Sequence, residues 1–348
     1  MNIKKEKVLL GMSGGIDSTA AAVILKEKGY EVVGATFKVI DNDKTQSTVN
    51  DAKKICEKMG IEFHVLDYID KFENSVIKDF VDNYKKGKTP NPCVKCNKEI
   101  KYNEFLKSAN KLGINKIATG QYGRIVKEGD KYYVKKSINE NKDQSYYLYN
   151  INSKNLENIL LPIGELDNKD EAREIASKSG IDFHSKDESQ DICFIKDDNY
   201  QEFLKEYIDS NLEGNFIDKK ENILGKHKGI QNYTVGQRKG LGIALGEPYY
   251  IIDINYENKN IRLGLKEDLY SSHCILRDYN ILNSDVDIEK EEFNAKVRYS
   301  HKEEKITIKK EGDSLKIKFK NPVRAITLGQ SLVFYKDEYL IGGGIIDK

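Results

Sequence analysis

The chain has 348 residues, 39% of them hydrophobic and 32% charged, with a formal net charge of +1, so a globular protein of two or three domains with a buried core is expected. No apolar run approaches the roughly 20 residues of a membrane helix, and the opening "MNIKKEKVLLGMSGG" turns polar too soon for a signal peptide. That excludes a membrane protein, predicts a cytoplasmic one, and leaves whole-molecule charge with no reason to invoke nucleic acid.

In chain order, "EKVLLGM" reads as a strand buried on both faces and "SGGIDS" as a turn. "TAAAVILKEKG" reads as a helix with Lys26 and Lys28 in its last turn and Gly29 as its stop, and "YEVVGATFKVI" as a second strand. This is a βαβ unit. "STVNDAKKICEKMG" continues as a helix, "IEFHVLDY" as a strand, "DKFENSVIKDFVDNYKKGK" and "NKEIKYNEFLKSANKLG" as helices, and "INKIATG" as a strand. The alternation predicts an α/β domain with a doubly wound parallel sheet. "DNKDEAREIASKSG" adds a helix, and "DDNYQEFLKEYIDS" is expected to close the domain. Near residue 210 short β-like runs separated by Gly and Asn predict a small, mostly β module. From about Ser271, alternating runs such as "FNAKVRY", "KITIKK" and "LKIKFK" predict a β-barrel or sandwich. The expected domains are 1–209, 210–270 and 271–348.

The segment Gly11–Ser18, "GMSGGIDS", lies between the first strand and the first helix. Gly14 and Gly15 let the backbone approach an anion, and the helix start offers N–H groups and the positive end of the dipole. Asp17 or Ser18 is expected to cap that helix. The plainer reading is a tight turn without a ligand. Two familiar nucleotide loops are excluded, because GxxxxGK[ST] needs lysine where Asp17 stands and GxGxxG does not fit glycines at 11, 14 and 15.

Five cysteines, an odd number in a chain expected to be cytoplasmic, argue against a disulfide framework. Cys56 and Cys274 occupy helix- and strand-like apolar positions and are expected in the core. Cys93 and Cys96 lie in "TPNPCVKCNKEIK", and Cys193 in "SQDICFIKD". Between Tyr84 and Lys111 stand eight lysines and two glutamates. Alone this is a solvated helix face; around reactive groups it suggests a polyanion brought to the chemistry. A zinc site lacks a fourth ligand at suitable spacing, His184 being the nearest candidate, and a thioredoxin-like context for the CxxC is missing.

"GMSGGIDS" resembles the pyrophosphatase loop of the PP-loop ATP-pyrophosphatase superfamily, whose members cleave ATP between the α and β phosphates and adenylate a carbonyl or amide oxygen. "TPNPCVKCNKEIK", "ATGQY", "KDQSYYL", "SQDICFIKD", "YTVGQRKGLGIALGEPYYI", "VRY" and the terminal "TLGQSLVFY…IGGGII" follow in order over essentially the whole chain. Together they resemble the bacterial tRNA-specific 2-thiouridylases. The resemblance implies ATP-dependent 2-thiolation of the wobble uridine of tRNA through an adenylated C2 oxygen, with release of AMP and pyrophosphate. It also implies a nucleotide-binding α/β domain, a small central domain and a C-terminal β-barrel that grips the RNA.

By the same resemblance Gly11, Met12, Ser13, Gly14, Gly15, Ile16, Asp17 and Ser18 would hold the ATP phosphates with Mg2+. Phe37 and Gly120 would line the nucleotide pocket. Cys96 matches the nucleophile, and Cys193 the cysteine that carries a persulfide supplied by a cysteine desulfurase or a sulfur-relay protein. Asn91, Pro92, Cys93, Gln121, Lys142, Asp143, Gln144, Arg298, Tyr299 and Gln330 match tRNA-contacting positions. Lys95, Lys98 and Lys101 are expected to lower the thiol pKa. Sulfur reaches C2 either as sulfide freed when Cys96 attacks the persulfide or by direct attack of the persulfide.

Two positions depart from the family pattern: Cys93, where many members have Asp, and Gln121, where many have His. The first opens an alternative, in which Cys93, Cys96 and Cys193 ligate three irons of a [4Fe–4S] cluster whose fourth iron takes sulfide. From the sequence, a persulfide relay with Cys93 as a spectator or resolving thiol and a cluster both stand. Another adenylating amidotransferase or synthetase needs no three cysteines and barrel. A non-catalytic tRNA-binding protein or sulfur carrier needs no intact pyrophosphatase loop.

Overall fold

A computed structural model describes residues 5–181, 192–208, 212–244 and 246–348. In chain order it begins β1 (Lys7–Gly11), α1 (Ile16–Glu27), β2 (Glu31–Lys38), α2 (Asp43–Met59) and β3 (Glu62–Asp67). Next come α3 (Ile69–Phe72), a π-helical turn at Glu73–Ile77, α4 (Lys78–Lys85), α5 (Pro92–Cys96), a π-helical stretch at Asn97–Glu104 and α6 (Phe105–Lys111). After β4 (Lys116–Thr119) follow β5 (Arg124–Glu128), β6 (Lys131–Lys135), β7 (Ile159–Leu160), α7 (Lys169–Ser177) and α8 (Tyr200–Lys205). The remainder is strand: β8 (Gly214–Ile217), β9 (Ile223–His227), β10 (Tyr250–Ile254), β11 (Ile261–Gly264), β12 (Tyr270–Ile281), β13 (Phe293–Lys296), β14 (Glu304–Glu311), β15 (Ser314–Arg324), β16 (Ser331–Lys336) and β17 (Tyr339–Ile346).

The chain divides into two compact units, 1–76 with 93–190 and 338–340, and 77–92 with 191–337 and 341–348. The first contains a five-stranded sheet in the order β3-β2-β1-β4-β7, with every pairing parallel. The strand order reverses between β1 and β4, so the carboxyl ends of those two strands open a crevice of the kind where doubly wound sheets bind ligands. Apolar runs such as Val8–Leu10, fully buried, fit a sheet covered on both faces. One side of its core joins Ala20, Ala21, Ala22 and Leu25 of α1 to Ala52, Ile55 and Cys56 of α2 and Ala172 and Ala176 of α7. Small residues on α1 let the flanking helices come close.

Several elements differ from the sequence expectation. Helix α2 starts at Asp43 rather than near Ser47, because the Asn42 side chain accepts the Thr45 N–H at 2.8 Å. Gly60, left-handed at φ 62°, ends it. The long helix expected over 70–88 widens at 73–77, where Asn74 Nδ2 donates to the Asp70 carbonyl at 2.8 Å and Ser75 Oγ to the Lys71 carbonyl at 2.6 Å. Side chains that bond the preceding turn compete with the helical ladder. The segment after Cys96 is also π-helical before it becomes α6. Strand pair β5–β6 was not expected; it is antiparallel and pairs Lys135 with Tyr339 of the C-terminal strand.

In the second unit, β10-β11-β8-β9 form a small sheet around Phe216, Ile230, Tyr233, Ile251 and Leu263, as the change of texture near residue 210 predicts. Strands β12, β15, β14, β13, β16 and β17 follow one another around a barrel that β12–β17 pairing closes. Phe293, Phe319 and Phe334 fill its interior. Closure removes the exposed edges that an open sheet would leave. Helix α8 is shorter than its sequence pattern. In this unit Tyr200 stacks on Tyr84 with centroids 5.0 Å apart and Phe203 lies 6.1 Å from Phe80. The domain boundary expected at 209/210 falls on residues outside the described ones, as do His184 and the start of "SQDICFIKD".

Candidate active site

The loop after β1 is tied to β2 before it reaches the helix. Met12 N–H donates to the Ala35 carbonyl, and Thr36 Oγ1 donates to the Met12 carbonyl, both at 2.7 Å. Gly14 is left-handed at φ 72°, and a Cβ there would meet Asp51 Cβ at 2.8 Å, so glycine is required twice over. The expected helix cap is corrected. Gly15 is the N-cap of α1 and no side chain caps it. Ser18 instead folds back, accepting from Ser13 N–H at 3.2 Å and donating to the Gly15 carbonyl at 3.2 Å. Asp17 sits in the first helical turn, where its carboxylate accepts the Tyr122 hydroxyl at 3.0 Å. A glycine-rich turn with a helix N-terminus behind it is a phosphate cradle.

Gly120 leaves β4 on the other side of the crevice. A Cβ there would lie 2.8 Å from both the Asp17 carbonyl carbon and the Ser18 nitrogen, so only glycine lets the β4 loop touch the start of α1. Phe37, at the end of β2, stacks edge-on to Phe105 at 4.7 Å and tilts against Tyr68 at 5.7 Å. A Cβ on Gly11 would come within 3.3 Å of the Phe37 ring. The fold therefore gathers Gly11–Ser18, Phe37 and Gly120 around the carboxyl ends of β1, β2 and β4.

Gln121 is buried, with its side-chain oxygen accepting the hydroxyl of the fully buried Tyr102. Gln144 clasps Tyr122, accepting its N–H at 3.1 Å on Oε1 and donating backbone N–H to its carbonyl at 2.7 Å. Asp143 faces inward: its carboxylate accepts from Ser137 N–H at 2.9 Å and Ser145 Oγ at 2.7 Å. That carboxylate orders the 137–145 loop, and the half-buried Lys142 beside it is the more accessible group.

Cys93 and Cys96 both ride on α5 in the first unit, Cys93 exposed and Cys96 half-buried. Dense surroundings push the Cys93 thiol up and Lys101 opposes that push. Of the lysines expected to activate the thiols, Lys95 lies 3.6 Å from Glu99, which offsets part of its field. Cys193 is exposed in the second unit, between the described neighbours Ile192 and Phe194, and Phe194 packs on Phe80 and Phe203 at 5.2 and 5.1 Å. Cys56 and Cys274 are buried, as expected, and burial pushes each thiol up to about 12. Among the described residues no three His, Cys, Asp or Glu side chains are arranged to hold a metal ion.

The turn before Cys93 is held within the second unit. Thr89 N–H donates to the Leu328 carbonyl and Gln330 Nε2 to the Thr89 carbonyl, each at 2.8 Å, and Lys88 pairs with Asp347 at 2.7 Å. Gln330 thus reaches the segment that leads into Asn91 and Pro92. The Arg298 guanidinium donates to the Val235 and Ala325 carbonyls at 3.2 Å and to Thr327 Oγ1, which fixes it against this unit's backbone; Tyr299 beside it is half-buried. In the same unit Arg238, residues 240–244, Glu247, Pro248 and Tyr249 line a pocket of about 680 Å3.

Sequence reasoning missed three residues. Tyr122 ends the quoted "ATGQY", so its signal was present without its role. Lys169, at the start of α7, feels Asp17 and Lys142, and burial lowers its pKa against the pull of Asp17. Its segment reads only as an amphipathic helix. Asn97, buried beside Cys96, donates to the Tyr147 carbonyl at 3.1 Å while its Oδ1 has no partner.

The fold and loop define a nucleotide-binding α/β enzyme with an appended β-barrel. Family models match the chain at residues 6–197 (tRNA methyl transferase HUP domain), 201–264 (tRNA methyl transferase PRC-barrel domain) and 271–346 (Aminomethyltransferase beta-barrel domain). The chain is 48% identical over 359 residues to tRNA-specific 2-thiouridylase MnmA 2 of Clostridium tetani, covering 100% of each chain. It is 46% identical to tRNA-specific 2-thiouridylase MnmA of Clostridioides difficile, covering 99% of this chain and 98% of that one. The U34-tRNA thiolase NcsA from Methanococcus maripaludis, solved with its [4Fe-4S] cluster, aligns over 58% of this chain and 65% of that chain at 17% identity and a TM-score of 0.38, too distant to bear on the chemistry. This chain belongs to the tRNA-specific 2-thiouridylase family. No helix among the described residues is long and apolar enough to cross a membrane.

Proposed function

We propose that this protein uses ATP to exchange the C2 oxygen of the tRNA wobble uridine for sulfur through a persulfide relay. The observation that carries this reading is family membership over the whole chain, 46–48% identity to curated tRNA-specific 2-thiouridylases from end to end.

The uridine C2 oxygen attacks the α phosphate and pyrophosphate departs. Loop amides of Gly11–Ser18 take up the charge that develops on it. Mg2+ usually binds through one or two carboxylates together with substrate phosphates, and the single acid at this loop, Asp17, fits that pattern. When bound, the ion would neutralise the leaving pyrophosphate. Tyr122 holds Asp17 in place by donating to it. Phe37 offers an apolar surface to the base, and Gly120 keeps the wall thin.

A cysteine desulfurase or relay protein charges Cys193 as a persulfide. The Cys96 thiolate attacks the Cys193 sulfur, a Cys96–Cys193 disulfide forms, and hydrosulfide leaves. Hydrosulfide adds to C2 and AMP departs with the original oxygen, so atoms and electrons balance. Lys142, Gln144, Tyr299, Gln330 and the turn at Asn91–Pro92 are the positions assigned to tRNA.

The test combines the protein with unmodified tRNA, ATP, Mg2+, cysteine and a cysteine desulfurase, then analyses nucleosides and nucleotides. Equal amounts of 2-thiouridine, AMP and pyrophosphate are expected. ATP consumption without a thionucleoside would sink the assignment.

A further inference from the structure

Resting on the thiolation reading above, we propose that Cys93 is a resolving thiol that resets the site after each sulfur transfer. It attacks Cys96 of the Cys96–Cys193 disulfide, forms a Cys93–Cys96 disulfide and returns Cys193 as a thiol ready for the next sulfur. The Cys93–Cys96 bond forms as the Cys96–Cys193 bond breaks, and the proton that Cys93 loses is gained by Cys193. The step is an exchange with no net oxidation. A dithiol reductant then opens the Cys93–Cys96 bond and completes the cycle.

The placement of the three sulfurs supports this. Cys93 and Cys96 stand three residues apart on the single helix α5, within one compact unit, whereas Cys193 belongs to the other. The Cys93–Cys96 pair is therefore the one that a single unit can bring together by itself. Residues three apart on a helix carry Cβ atoms about 5–6 Å apart, and a disulfide needs roughly 3.8 Å, so closing the bond takes local unwinding. Helix α5 is suited to that. It has five residues and begins at Pro92, and the backbone changes to a π-helical ladder at Asn97. Exposure matters as well: Cys93 is exposed and Cys96 half-buried, so a reductant can reach the bond they form. Lys101 favours the Cys93 thiolate against the crowding that disfavours it, so the resolving step should quicken as pH rises.

Protein charged at Cys193 by a desulfurase and cysteine, then desalted, is given ATP, Mg2+ and unmodified tRNA with no reductant. Acid quenching, alkylation with N-ethylmaleimide and peptide mass spectrometry locate every sulfur, while nucleoside analysis counts 2-thiouridine in the same sample. Wild type should carry about one Cys93–Cys96 disulfide per 2-thiouridine, as stoichiometric exchange requires. Cys93→Ser and Cys93→Ala should stop with a Cys96–Cys193 disulfide in place, and adding a dithiol together with fresh cysteine and desulfurase should restart them. Wild-type product with Cys93 fully alkylated overturns the proposal. Failure of wild type to make any 2-thiouridine overturns the function and the proposal with it, and the nucleoside count separates that case from the first.

Discussion

At the scale of single residues, the Asp17–Tyr122 pair is the most exposed to test. The hydroxyl of Tyr122 donates to a carboxylate, and hydrogen bonds to charged groups contribute about 1.5–3 kcal/mol. Tyr122→Phe should therefore slow AMP and pyrophosphate formation by about tenfold or more, since each 1.36 kcal/mol is a factor of ten. Asp17→Ala should abolish adenylation; normal AMP release from that variant would show that the loop is misread. Gly120→Ala forces a methyl against the backbone of Asp17 and Ser18, so ATP binding measured by calorimetry should weaken severely.

His227 offers a residue-scale test of pH dependence. Its Nδ1 accepts the Gly229 N–H at 3.1 Å, which leaves Nε2 to donate to the Lys259 carbonyl at 2.8 Å. Burial lowers its pKa below the ordinary 6.5. The unfolded chain takes up a proton as pH falls through 6.5 while the folded ring refuses it, so stability present above that pH is lost toward the folded pKa. Urea melts at pH 7.5 and 5.5 should show a smaller pH effect in His227→Asn than in wild type. Equal pH effects in the two proteins would remove His227 as the cause.

Among elements, the barrel loop 327–330 and the turn at Thr89 act as one piece. Backbone donation from Thr89 to Leu328, the Gln330 side chain and a left-handed Gly329 with φ 87° hold them. A Cβ on Gly329 would press within 3.0 Å of Lys88 Cβ. Gln330→Ala removes one hydrogen bond, and a loss of roughly 0.5–1.5 kcal/mol by urea denaturation is expected. Because Thr89 lies four residues before Cys93, the same variant should thiolate more slowly. Unchanged stability would mean the bond is not made in solution. The π-helical stretch after Cys96 belongs to this scale too. It keeps the apolar period of an ordinary helix closely enough that the pattern "NKEIKYNEFLKSANKLG" could not disclose it.

For the whole molecule, Cys96 and Cys193 belong to different compact units, and the proposed relay uses both. Cys96→Ser and Cys193→Ser should each abolish 2-thiouridine; activity in either would overturn the relay. Net charge is +1, so the overall field does not draw tRNA in, and the proposed reading places its binding on local lysine-rich surface. Affinity should then fall by about tenfold or more between roughly 50 and 200 mM salt if several phosphates are contacted. A flat salt response would place recognition in base contacts alone.

The sequence by itself determined the order of strands and helices as far as β4, the change to β structure near residue 210, and the phosphate loop. These rest on local period and on glycine spacing, which a linear reading resolves. It also marked Cys93, Cys96 and Cys193 by their polar settings, and the ordered motifs pointed to the family. Only the tertiary structure decided that Ser18 folds back on its loop instead of capping α1, and that Asp143 faces inward. Tertiary contacts also joined Gln330 to the turn before Cys93 and Tyr122 to Asp17, pairs separated by 241 and 105 residues. Hydrogen bonds between residues so distant in the chain leave no periodicity behind, because only folding brings their donors and acceptors within reach.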